Sequence, residues 1–217
     1  MELIAINLAR LAAFVEVDAL DPKGQSNLPD NINALIRRYG FSKYPTTIEE
    51  MDLQKGIQFA EGSLGDIAIT SIQLFHNGLI IDTRSSTDNS KRVFDDLVIL
   101  AKEMNGASVV SRRYHLTSQF IFRSELKLAL LNPLLQPIAD RLARSVSGNL
   151  NHSISFEPTA VLIGPQAWAL KIVPSSFSIE RRSETPFNEN TYFSSAPLPT
   201  DEHLKLIEEF EQALSAK

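Results

Sequence analysis

The alternation of apolar and polar positions is sharpest between Ile67 and Met104. There IAITSIQLF and LIIDT flank His76-Asn77-Gly78, a period-two pattern that predicts two antiparallel strands. A type I′ turn centred on Asn77-Gly78 is expected, because both central residues of that turn need positive φ and this pair tolerates it best. A polar run follows, and then Val93, Leu97, Leu100, Ala101 and Met104 recur on one helical face, with Lys91, Asp95, Lys102 and Glu103 on the other. Asp88 or Ser90 is placed to cap this helix, and Asn105-Gly106 to end it in the left-handed region.

The same reading extends to both sides. Ile4, Ile6 and Leu8 alternate into a strand that runs to about Val17, followed by a turn at Asp21-Pro22-Lys23-Gly24. Pro29-Asp30 opens a short helix carrying Ile32, Leu35 and Ile36, closed by Gly40. The connector after it has Phe41 and Tyr44 to pin it to a core, and Gly56 to Phe59 makes a short strand. Beyond the central helix, residues 107–125 predict one long strand with Tyr114, Leu116, Ser118, Phe120 and Phe122 on one face. Leu134, Leu135, Ile138, Leu142 and Val146 then fall at helical spacing, with Pro137 expected to kink the helix. Two strands, from His152 to Ile163 and from Ala167 to Arg182, are expected to join at Gly164-Pro165. Residues 183–199 read as a long polar loop, and Thr200 to Ala216 as an amphipathic helix.

Two of these segments align without gaps. TDNSKRVFDDL from Thr87 and TDEHLKLIEEF from Thr200 both open on Thr-Asp and share apolar and acidic positions thereafter. The plainer account is that any capped amphipathic helix looks so. A single domain over 1–217 is expected, with halves of about 1–106 and 107–217 if the likeness marks a duplication.

Composition narrows the chemistry more than it suggests any. With no cysteine, disulfides, thiolate nucleophiles and Cys-based zinc sites are excluded. A net charge of −5 argues against broad binding to nucleic acid or anionic lipid. No apolar run approaches the ~18 residues of a membrane span, and a cytoplasmic protein is expected.

The densest polar run, Asp82 to Ser90, is the first candidate site. Arg84, Ser85, Ser86, Thr87, Asp88 and Ser90 precede a helix N-terminus, where unpaired N–H groups and the helix dipole favour an anion. The run lacks the glycines of a phosphate-wrapping loop, and its plainer role is to cap the helix. Arg112 and Arg113, with Arg181 and Arg182, can form a basic patch, although neighbours on a strand point to opposite faces. Trp168, with the adjacent aromatics Tyr192 and Phe193, is the candidate partner surface. Among the four histidines no metal-ligand spacing occurs, and His115 alone sits where a functional role is worth testing. No catalytic residues, metal or cofactor are expected.

The fold expected is α+β: a largely antiparallel sheet with three to four helices packed on one face. The function expected is that of a non-catalytic interaction or assembly protein that binds a protein partner or itself, with residues 183–199 as its contact arm. The alternative is an enzyme or binder of a phosphorylated or anionic small ligand at residues 82–90. A second alternative is nucleic-acid binding through a basic sheet face.

Overall fold

The computed structural model describes residues 1–15, 27–106, 113–125, 128–150, 152–166, 173–182 and 185–215. Among them the elements are β1 (Glu2–Phe14), α1 (Leu28–Tyr39), β2 (Ile57–Leu64), β3 (Ile67–Phe75), β4 (Gly78–Thr83), α2 (Thr87–Asn105), β5 (Arg113–Arg123), α3 (Gln136–Leu150), β6 (Ala160–Ile163), β7 (Phe177–Arg181), β8 (Thr191–Ala196) and α4 (Thr200–Ser215). The strands form one antiparallel sheet in the order β2-β3-β4-β1-β5-β8-β7-β6, so the α+β class holds. The element order strand, helix, three strands, helix occurs twice along the chain. The strand order repeats with it: β1-β4-β3-β2 in the first run and β5-β8-β7-β6 in the second.

Packing divides the chain into two compact units, one of Ile6–Gln119 with Pro197–Glu202, the other of Met1–Ala5, Phe120–Ala196 and His203–Lys217. In the first unit, α1 has Pro29 in its opening turn and ends at Gly40, whose φ of 62° only glycine adopts freely. Its apolar face is covered: Ile32, Leu35 and Tyr39 join Leu11, Phe59, Ile69, Ile81, Val93 and Phe94 in one core. Each such side chain contributes about 1.5–3 kcal/mol of transfer free energy. Phe41 anchors the connector, its ring 5.3 Å from that of Phe59. Tyr44 does not share this role, being exposed.

The β3–β4 hairpin forms where the alternation placed it, but with a different turn. Phe75 pairs with Gly78, so His76 and Asn77 are the loop residues, and neither has positive φ. Gly78 is demanded by crowding, because a Cβ there would lie 2.3 Å from the Ala13 carbonyl oxygen of the neighbouring strand. The helix α2 ends at Gly106 (φ 70°) as its sequence requires.

The second unit is built on Phe120, Phe122, Ile179, Tyr192 and Ile207, all fully buried. Three expectations are corrected here. Residues 183–199 are not one loop: Thr191–Ala196 is the strand β8, paired with β7 through Ser178↔Ser195 to Arg181↔Tyr192. The β6–β7 pair is shorter than expected and has no tight turn at Gly164-Pro165, since Ile163 pairs with Phe177. Pro174, just before β7, lacks the N–H a ladder needs, which limits that strand. Finally, Pro137 does not kink α3, because the helix begins at Gln136 and the proline falls in the first turn, where N–H groups have no intrahelical acceptor. The Asp21–Gly24 turn and the start of the strand expected from residue 107 lie outside the described residues.

Candidate functional site

The polar run before α2 is consumed largely by its own architecture. Ser86 is the N-cap, its side chain accepting from the Asn89 N–H at 3.1 Å, so neither Asp88 nor Ser90 fills that role. Ser90 is fully buried and donates to the Ala9 carbonyl at 2.8 Å, while also lying 2.9 Å from Thr83 Oγ1. Ser85 accepts from the Asn89 carboxamide. Thr87 and Thr200 bind each other reciprocally: the Thr87 N–H donates to Thr200 Oγ1 at 3.0 Å and the Thr200 N–H to Thr87 Oγ1 at 2.9 Å. Asp82 lies behind the run, gripped by Arg10 through bonds of 2.7 and 2.8 Å and by Ser71 at 3.2 Å. Asp88 and Arg84 remain exposed, and Arg84 makes no hydrogen bond or ion pair among the described residues.

Arg84 and Ser85 border a shallow concavity on the face of β2 and β3, with Gln58, Glu61, Asp66 and Thr70 along it. Its charge is mixed. Glu61 is paired with Lys43 and accepts from Ser42 at 2.6 Å, and both hold its carboxyl below the usual range, Lys43 most. Asp66 lies 3.9 Å from Arg92. The concavity therefore offers one unengaged guanidinium beside two carboxylates.

The candidate basic patch divides differently from its sequence. Arg181 sits over the Tyr192 ring at 5.1 Å, donates to Tyr192 Oη at 3.2 Å and lies 3.7 Å from Glu157, with its side chain 5% exposed. It presents no charge to solvent, whereas Arg113 and Arg182 do. Arg112 and Trp168 lie outside the described residues. Tyr192 is not on a surface: it is fully buried and stacks on Phe122 at 5.6 Å. Phe193, next along β8, is half-buried.

His115 is exposed and packs edge-on against Phe14 at 5.7 Å. The histidine with a built environment is His203, which sequence reasoning passed over. It is fully buried, its ring 4.2 Å from that of Phe120, and Nε2 lies 2.8 Å from Ser194 Oγ. Ser194 donates its one proton to the Ser178 carbonyl at 2.7 Å, so His203 Nε2–H is the donor to Ser194. This is the reverse of a nucleophile and its base, and both partners are shut from solvent. The pair ties α4 to β8. A signal existed: Ser90 and His203 occupy matching places in the two aligned segments, each the fourth residue of its helix and each fully buried. Among the described residues no cluster of three His, Asp or Glu side chains could hold a metal ion.

Among the described residues the second unit exposes an apolar surface. On α3 only Ala139 is buried, while Ile138 and Leu142 are 57% and 46% exposed, and Leu134, just before the helix, is 79% exposed. The edge strand β6 likewise exposes Leu162 and Ile163. No helix among the described residues is long and apolar enough to cross a membrane. The chain matches no protein-family model, and a search of the curated proteins finds no relative.

Proposed function

We propose that the chain is a non-catalytic assembly protein of the cytoplasm that associates with a second copy of itself through α3 and the edge strand β6, and that it is built from two copies of one strand–helix–three-strand–helix module. The carrying observation is the contrast between the two helices that hold the same place in the repeated element order. Helix α1 buries Ile32, Leu35 and Tyr39, whereas α3 buries only Ala139. Exposed apolar stripes of this kind mark interaction sites on soluble proteins. An exposed antiparallel edge beside one can pair with its own copy across a two-fold axis. Sedimentation velocity over a range of concentrations tests it: wild type shifts toward dimer as concentration rises, and Ile138→Lys/Leu142→Lys stays monomeric. A wild type that is monomeric throughout contradicts the reading.

The concavity at Arg84 and Ser85 favours a second reading, a binder of a small anionic ligand. Here inorganic phosphate raises the melting temperature of wild type and not of Arg84→Ala. The carboxylates of Glu61 and Asp66 on the same rim weigh against it.

A further inference from the structure

We infer that the first unit holds a binding site for a small neutral molecule with an apolar body and one hydrogen-bonding group. Between α1, α2 and the β3–β4 hairpin lies an apolar pocket of about 120 Å³, open to solvent beside the exposed Met104 and lined among the described residues by Leu35, Leu74, Leu79, Phe94, Leu97 and Met104. An apolar concavity with a few convergent polar groups is the usual setting for a small ligand. An enclosed apolar cavity of about 150 Å³ takes up benzene, and this open pocket is of comparable volume. The volume therefore suits a six-membered ring or a short alkyl chain.

Two features select the rest of the ligand. Among the described residues no charged side chain lines the pocket, which disfavours an ionic group. Asn31 and Asn105 do line it, and their carboxamides make no hydrogen bond to another described residue. Each offers two N–H donors and a carbonyl acceptor, enough to receive a hydroxyl or an amide on the ligand. Their placement on α1 and α2 puts both polar groups in the wall of one apolar chamber. This site is independent of the self-association surface, which lies in the second unit.

The chain has three methionines, Met1, Met51 and Met104, and only Met104 lines the cavity, so ¹³C-methyl methionine spectra report on it alone. Titration with benzyl alcohol shifts the Met104 methyl resonance saturably, with a dissociation constant on the order of 1 mM, ordinary for so few atoms. Toluene binds more weakly, and benzoate leaves the spectrum unchanged. Ala101→Phe, which fills the chamber from α2, abolishes the Met104 shift while melting as cooperatively as wild type. Asn31→Leu/Asn105→Leu, which needs no space in the core, removes the preference for benzyl alcohol over toluene. The inference is overturned if Met104 shows no saturable shift, if all three methyl groups move alike, or if either variant behaves as wild type.

Discussion

At the scale of single residues the polar loop before α2 is a set of tied-off groups. Ser86 caps the helix, and Asp88 does not touch it through its side chain. Ser86→Ala is expected to cost about 1 kcal/mol of stability and Asp88→Ala only a few tenths, measured by urea unfolding. Gly78→Ala tests the hairpin, since its new Cβ meets a backbone oxygen at 2.3 Å that no side-chain adjustment relieves. A loss above ~2 kcal/mol is expected, whereas a turn governed by φ alone would yield far less. The cap was half legible. Four hydroxyl or acid residues lie within five positions, and the choice fell to Ser86 because Ser90 and Thr87 are drawn away by Ala9 and Thr200. Those partners are distant in sequence, so no local pattern could reveal them.

A second residue-scale test concerns acid. Arg38 bonds both oxygens of Asp96 at 2.5 and 3.1 Å, and Tyr39 adds a third bond at 2.8 Å. The Arg38 hydrogen bond is the main reason that the Asp96 carboxyl lies below its ordinary value, burial opposing it. A depressed folded value means the stabilisation is complete above the unfolded value near ~4 and is lost as pH falls through the folded one. With Arg38 substantially exposed, the pair contributes no more than about 1 kcal/mol. Asp96→Asn should therefore lower stability at pH 7 and flatten the loss that wild type shows below pH ~4. An unchanged acid limb in the variant would refute this assignment.

At the scale of elements, periodicity carried most of the fold. The hairpin, α2 and both glycine stops follow from alternation and from the few residues that tolerate a left-handed backbone. What escaped was β8. Its inward positions are Tyr192, Ser194 and Ala196, two of them small, so the inward face carries little apolar signal and the flanking prolines read as loop. The serine is there because His203 and the Ser178 carbonyl require it. Helices α1 and α3 differ in the opposite sense: their sequences look alike in amphipathicity, but only α1 is covered. Leu35→Ala should cost about 2–5 kcal/mol. Leu142→Ala should change the monomer by no more than ~0.5 kcal/mol, since it already faces solvent. Chemical unfolding at low protein concentration separates the two.

At the scale of the whole molecule, the repeated order of strands and helices gives the alignment of Thr87 with Thr200 a physical meaning. The two threonines open the closing helices of the two runs and each satisfies the other's buried N–H. A duplicated module would carry the same threonine at the opening of each closing helix. Thr87→Val and Thr200→Val should then destabilise by matching amounts, about 1–3 kcal/mol each, because each removes the acceptor of one buried donor. A loss confined to one of them would speak against the duplication.

The assembly reading itself is tested most directly by the melting temperature as a function of protein concentration. Whatever binds only the folded chain stabilises it by mass action, and a second copy is such a ligand. The wild-type melting temperature should rise over a ~100-fold increase in concentration, and Ile138→Lys/Leu142→Lys should melt at one temperature throughout. A wild-type melting temperature independent of concentration, with the double variant melting well below it, would mean that the α3 face is part of the monomer's own core.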